Sequence, residues 1–448
     1  MLLRASARPL ALLSTLALAA GCPPARGGLE QARTMMAKGQ LREACSRLRP
    51  LVSRRDLAHH DQLKTIRTWV DCLARTGDLQ QAYRELASVD EPARLYGSAL
   101  VAVGKGPSGL PRAVKLLARA AGRWPGEAEI PYRMGVLLLA DSQPSAALPH
   151  LERASKLQDT AAAAVARAHA LLDLGRTAEA LQQVRRVPTL QPSQRDIRRG
   201  RALIQRVSRR SRAIPRSVRK PYRAALDLLR RRDLAAECAR TIDGILLDHP
   251  RLGAAHTLLG LAQLRLGNAA DAVVALRRAA KLNSLDATNP LYLAVIYQKR
   301  GQVERSIVNY RKALDLDPFL LQAGRELGQL LLRQGRSREA AEVLERIAVL
   351  DGNSDASQRL AGRAHMAAGA LRRAERYFSQ LARHNPDDFE LNLRLGQLLF
   401  RRYQEEGKPE LLKQASQHSR RAAASHPSDS EVEELQMQLR QAANSEPE

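Results

Sequence analysis

Aromatic residues are scarce in this chain: two Trp, nine Tyr and four Phe make up 3% of 448 residues. A single compact core built on aromatic side chains is thereby excluded. No segment carries the alternating apolar pattern of a strand, which argues against a sheet fold. The four cysteines include no CxxC pair, and no Ser-His-Asp or paired-carboxylate arrangement stands out, so the reading commits to no enzyme, no metal and no cofactor. Acidic side chains are the minority charge, 46 against 72 Lys and Arg, leaving a net +26. Length alone would suggest roughly three globular domains. A repeat array has no single core, however, and gains stability unit by unit.

Against these absences stands a period. Gly267, Gly301, Gly335 and Gly369 follow one another at 34 residues, the mark of stacked helical hairpins. Other positions move in step. After Pro250 come Gly260, Ala272 and Ala279; after Pro318, at the same offsets, come Gly328 and Ala340, with Ile347 departing at the third place. Ala294 fills the first place in the unit between, and Pro386 closes the series. Each position has its own steric reason. Two helices approach closely only over Gly or Ala, a left-handed residue ends the first helix, and proline stops the second.

These positions resemble the tetratricopeptide repeat family, a 34-residue helix-turn-helix unit with three small positions. The pattern extends towards the N-terminus through Pro125, Gly135, Ala147 and Ala154, and through the turn pairs Gly39/Ala44, Gly77/Ala82 and Gly175/Ala180. The resemblance implies an all-α, right-handed solenoid of about eleven hairpins with a C-terminal capping helix. Five units precede residue 193 and six run from about residue 217 to Pro427. The domains read as 1–21 signal peptide, 22–192 N-terminal array, 193–220 basic helical joint, 221–427 C-terminal array, and 428–448 cap and tail. Where the family places Trp near the start of the first helix, this chain has His256, Pro290, Gly324, Gln358 and Asn392, so those helices are expected to pack less deeply. The last unit is stretched, with Gly407 at 38 residues after Gly369. Beyond it, Ser428 and Glu431 have capping-box spacing, followed by the apolar stripe Val432, Leu435, Leu439 and Ala442.

The first 22 residues obey other rules. Arg4 and Arg8 precede an apolar run from Leu10 to Ala20, and Leu18-Ala19-Ala20-Gly21-Cys22 is similar to a bacterial lipobox, whose cysteine is lipidated and becomes the mature N-terminus. Cys22 is therefore the expected lipidation site; an ordinary secretory peptide is the alternative. Pro23, rather than Asp, after the cysteine favours the periplasmic face of the outer membrane over the inner membrane. Removing Cys22 leaves an odd number. Cys45 and Cys72 fall on neighbouring helices, but spacing does not fix their separation, so they read first as small buried hydrophobes with a disulfide as the alternative. Cys238 occupies a small packing position.

Half the net charge lies between Arg195 and Arg232, where the repeat pattern fails. Ile197, Leu203, Ile204 and Val207 give a helix one apolar face, and Arg195, Arg198, Arg199, Arg206 and Arg209 surround it. A solvated face and an anion-binding surface for lipid headgroups, acidic polysaccharide or an acidic protein patch are both open here. With Tyr222 the one aromatic residue in the stretch, base stacking is poor and no nucleic-acid partner is expected.

Carrying the family's inner-groove positions onto the C-terminal units gives Lys299, Arg325, Gln329, Arg333, Arg359, Arg363 and Arg401, interleaved with Leu264, Leu332 and Phe400. That implies protein partners bearing acidic segments. The carboxylate clamp of chaperone-binding relatives is missing, because residues such as Gln329 and Leu360 replace its asparagines. Gly104, Gly106 and Gly109 match GxGxxG but sit among prolines in what reads as a long loop between helices; His59 and His60 with Asp56 and Asp61 read as a polar turn in a connecting loop. The expected function is a non-enzymatic, lipid-anchored scaffold of the cell envelope, similar in plan to the family's lipoproteins of pilus assembly or polysaccharide export, or of a secretion complex. A soluble cytoplasmic adaptor or regulator is the alternative.

Overall fold

The computed structural model describes residues 24–54, 56–211 and 213–444. Among them are 24 α-helices, five short 3-10 turns and no strand. Two compact units divide between Leu203 and Ile204, inside the helix Gln194–Ser211. In the first unit the helices pair as Pro24–Ala37 with Leu41–Val52, His59–Thr76 with Leu79–Glu85, Glu91–Val103 with Leu110–Arg123, Glu129–Ala140 with Pro144–Leu157, and Ala161–Asp173 with Thr177–Arg186. In the second, pairing begins at Arg219–Arg230 with Ala235–Asp248 and ends at Phe389–Glu406 with Pro409–Ser425, followed by Ser430–Asn444. Buried side chains of the second unit form successive small clusters along the chain.

The periodic glycines make the turns. Gly267, Gly301, Gly335 and Gly369 have φ between 68° and 82°, a region that a Cβ disfavours. At each, the next residue's N–H reaches back over the helix end: Asn268 donates to the Gln263 carbonyl at 2.9 Å and Arg336 to that of Leu331 at 2.9 Å. That closure satisfies carbonyls the helix end would otherwise leave unpaired. Ser142, at φ 57°, supports the same closure without glycine, Gln143 donating to Leu138 at 2.8 Å. The stretched last unit also turns at a left-handed glycine, Gly407.

Within each hairpin the two helices touch over the small residues. A Cβ on Gly328 would lie 2.4 Å from Leu344 Cγ, one on Gly260 2.6 Å from Leu276 Cγ, and one on Gly135 2.4 Å from Leu151 Cγ. Ala272, Ala279 and Ala340 are fully buried. Two departures from the pattern answer each other. Gly324 stands where the family has a large residue, Ile347 where it has a small one, and the isoleucine fills the vacated space: a Cβ on Gly324 would meet Ile347 Cδ1 at 2.2 Å.

The expectation of shallower packing at the missing Trp positions fails for a different reason. His256, Gln358 and Asn392 are all buried, and each side chain ties back to the loop before its helix. His256 Nε2 lies 3.0 Å from the Pro250 carbonyl, Gln358 Nε2 donates to Asn353 at 2.5 Å and Asn392 Nδ2 to Pro386 at 2.8 Å. A polar tip that can be satisfied locally lets a smaller side chain seal the same place.

Two further expectations are corrected. Cys45 and Cys72 are joined by a disulfide, with Cα atoms 5.7 Å apart; neighbouring helices bring them within the roughly 4.4–6.8 Å that a bridge requires. The C-terminal helix is capped by Asp429 and not Ser428: its Oδ1 accepts from Glu431 N at 3.0 Å and Val432 N at 3.2 Å. Val432, Leu435 and Leu439 of that helix are buried, Leu435 over Gly396. Cys22 and the segment 1–21 lie outside the described residues.

Replacing Gly328 by Leu is expected to destabilise the chain by about 1–3 kcal/mol through overpacking against Leu344. A thermal melt matching wild type would remove Gly328 from the helix contact.

Candidate functional site

The cations assigned to the inner groove of the second unit divide into two sets. Arg325, on the helix Leu321–Arg333, donates to Asp351 at 2.5 Å, and Arg359, on Asp355–Ala367, to Asp388 at 2.7 Å and Glu390 at 3.3 Å. Arg394 continues the series with Glu431 at 2.7 Å. Asp388 and Glu390 open the following hairpin, Glu431 lies on the C-terminal helix, and Asp351 ends the second helix of Arg325's own hairpin while accepting from Ser357 of the next. The hydrogen bond from Arg359 holds the Asp388 carboxyl below its ordinary value. Burial raises that of Asp351, but Ser354, Ser357 and Arg325 outweigh it and leave it lowered. Arg325 and Arg359 are therefore joints between repeats before they are anything else. Lys299, Gln329, Arg333 and Arg363 are exposed and have no hydrogen-bonded or ion-paired partner among the described residues, and exposed Arg401 has a 3.7 Å contact with Glu405.

Basic residues of the joint divide in the same way. The helix Gln194–Ser211 starts at a capping box, Asp196 accepting from Ser193 N at 3.0 Å and from its hydroxyl at 2.6 Å. Ile197, Leu203, Ile204 and Val207 are buried, as their spacing predicts. Arg198 and Arg209 are exposed and Arg206 is half-buried. Arg195 and Arg199, half-buried, line a hollow of about 400 Å³ in the first unit.

Sequence reasoning missed that hollow. Its polar wall is built on Glu129, whose Oε1 accepts from Arg133 Nε at 2.7 Å, Arg67 Nη1 at 2.9 Å and the Tyr96 hydroxyl at 3.1 Å. Three different helices supply these groups, and Arg67 lies 62 residues from Glu129, so no local motif announces them. Burial pushes the Glu129 carboxyl up, but Arg133 and Arg67 outweigh it and hold it at about 2. Burial raises the Tyr96 hydroxyl, and Glu129 adds to the effect. Leu63, Tyr132, Ala161 and Leu190 give the hollow an apolar side. Arg195 is pushed below its ordinary value by burial and by Arg199 beside it.

The glycine-rich match is a matter of packing: a Cβ on Gly109 would lie 1.8 Å from the Ala102 carbonyl oxygen, and the 3-10 turn Pro107–Gly109 joins two helices. His59 and His60 open the helix His59–Thr76 and are not in a loop; His59 stacks on Trp124 at 4.3 Å. Among the described residues no group of three or more His, Cys, Asp or Glu is placed to hold a metal ion.

Glu129→Gln leaves two arginines without their carboxylate and is expected to cost about 3 kcal/mol at neutral pH. Because the folded carboxyl titrates at about 2 against an ordinary 4.5, its stabilisation is complete above that ordinary value and is lost as pH falls towards 2. Urea midpoints measured from neutral pH to about pH 3 are therefore expected to converge between wild type and variant; a constant gap would show that the carboxylate's charge contributes nothing.

The tetratricopeptide repeat family model matches residues 132–195, 291–355 and 359–430. No curated protein matches the sequence. Among solved structures, the chain is similar to YrrB, described as a tetratricopeptide repeat protein with an unusual peptide-binding site, at 16% identity over 44% of this chain and 99% of that one, with a TM-score of 0.38. It is similar also to pilF of Pseudomonas aeruginosa (23% identity, 43% and 84% coverage, TM-score 0.31) and to the P58(IPK) repeat domain (21% identity, 79% and 99% coverage, TM-score 0.25). The matched stretches coincide with hairpins built on the left-handed turns and small-residue contacts described above, and the chain is a tetratricopeptide repeat protein.

Proposed function

We propose that this chain is a lipid-anchored scaffold of the bacterial cell envelope that holds protein partners and serves a secretion, pilus or polysaccharide-export assembly. Tetratricopeptide repeats mediate protein–protein contacts, and the exposed, unpartnered Lys299, Arg333 and Arg363 favour acidic segments as partners. The observation that carries the envelope reading is the Cys45–Cys72 bridge. Disulfides persist in oxidising compartments such as the periplasm, which is where the signal-like segment before Cys22 would deliver the chain. No helix of the described residues is long and apolar enough to cross a membrane; in this reading the lipid on Cys22 makes the attachment.

Labelling cells with a clickable fatty acid tests the anchor. Wild type is expected to carry the label and fractionate with membranes; Cys22→Ser is expected to lose both. A variant that stays with membranes after a high-salt wash would overturn the lipoprotein reading. The bridge has its own check: denatured wild type is expected to expose Cys238 as its one reactive thiol among the three cysteines after Cys22, and three reactive thiols there would argue for a reducing compartment.

A further inference from the structure

We propose that the hollow of the first unit is a carboxylate seat, in which Arg195 and Arg199 together grip an acidic side chain of an extended protein segment. The inference rests on the reading that the chain binds protein segments and assigns one of them a place outside the C-terminal groove positions.

Charge accounting within the hollow comes first. Its three acids are already engaged: Glu129 by Arg67 and Arg133, Asp159 by Arg186, and Asp196 by Ser193 at the start of its helix. Arg195 and Arg199 have no hydrogen-bonded or ion-paired partner among the described residues. Lying four apart on one helix, they present their side chains on one face with Cβ atoms about 6 Å apart. Two half-buried guanidinium groups on one helix face repel each other, and a shared anion relieves the repulsion; burial first, and Arg199 second, hold Arg195 below its ordinary value.

The geometry selects a carboxylate on a protein. The same hollow already shows the chemistry, since Arg67 and Arg133 converge on one oxygen of Glu129, whereas Arg195 and Arg199 have no acid in hydrogen-bond reach, Asp196 and Asp71 acting on Arg195 only through space. Beside them, Leu63, Leu190 and the Tyr132 ring offer apolar surface to a neighbouring side chain of the segment. At about 400 Å³ the space is near the small end of the roughly 300–1,000 Å³ of ligand sites. A recess of that size admits a side chain or two, whereas a bilayer surface would meet the exposed Arg198 and Arg209 first.

The test uses the full chain carrying Cys22→Ser for solubility and two fluorescein-labelled decapeptides, one of alternating leucine and glutamate, the other with glutamine for glutamate. Anisotropy is expected to show the acidic peptide binding and the glutamine peptide binding at least about tenfold more weakly. Arg195→Glu with Arg199→Glu is expected to weaken the acidic peptide by at least about tenfold, Arg195→Gln with Arg199→Gln by less, and Arg198→Glu with Arg209→Glu hardly at all. Circular dichroism checks that helicity is kept, and the milder glutamine pair decides if the glutamate pair unfolds. Acidic peptide bound equally by wild type and the glutamine pair overturns the proposal. So does the opposite pattern, in which phosphatidylglycerol vesicles and not the peptide lose affinity for the Arg195/Arg199 variants. A wild-type chain that captures envelope proteins yet binds the peptide no better than those variants removes this seat and leaves the scaffold standing; one that captures no protein overturns the scaffold itself.

Discussion

Everything in this molecule depends on two helices of a hairpin coming close enough to touch over a glycine or alanine. At Gly135, Gly260 and Gly328 the partner helix occupies the space a Cβ would need, so the contact sets the distance between helices and leaves no room for compromise. The same chain then has to reverse direction within a few residues. Left-handed glycines do so by closing the helix end on its own carbonyls. Once distance and reversal are fixed, larger residues such as Leu276 and Leu344 can fill what remains, and few aromatic residues are needed.

This is why the fold was legible and the site was not. Steric constraints at the small positions and turns act on single residues at a fixed period, so they can be read from a sequence. The Gly324–Ile347 exchange was visible only as two separate departures, because their complementarity exists across the helix contact. Cys45 and Cys72 had the right helices for a bridge, yet spacing could not supply the distance. Asp429 displaced Ser428 as the cap because the helix begins one residue later than the capping-box spacing suggested. The Glu129 cluster had no local signal, being assembled from side chains on three helices.

The groove positions teach a related lesson about charge. Arg325, Arg359 and Arg394 recur at close to repeat spacing, as recognition residues would, but each faces an acid at the junction with the next helix pair or the C-terminal helix. Half-exposed pairs of this kind contribute modestly, about 1 kcal/mol or less each, and their arrangement serves registration of one repeat on the next. A periodic cation is therefore evidence of binding only when its acid is missing. By that criterion Lys299, Arg333 and Arg363 among the groove positions of the second unit, and Arg195 and Arg199 among those lining the hollow of the first, are available to partners.

The bridge between Cys45 and Cys72 has a mechanical meaning. It links the helices Leu41–Val52 and His59–Thr76 across a sequence separation of 27. A pull applied at the N-terminal end, as on a tethered molecule under load, passes through the covalent link and bypasses the intervening segment. Roughly 90 Å of extended chain is withheld from stretching. The helix Pro24–Ala37 lies before the link and takes a load at that end directly, whereas the chain from Cys45 to Cys72 cannot be drawn out, so unravelling from that side meets a fixed stop in the second helix of the first hairpin.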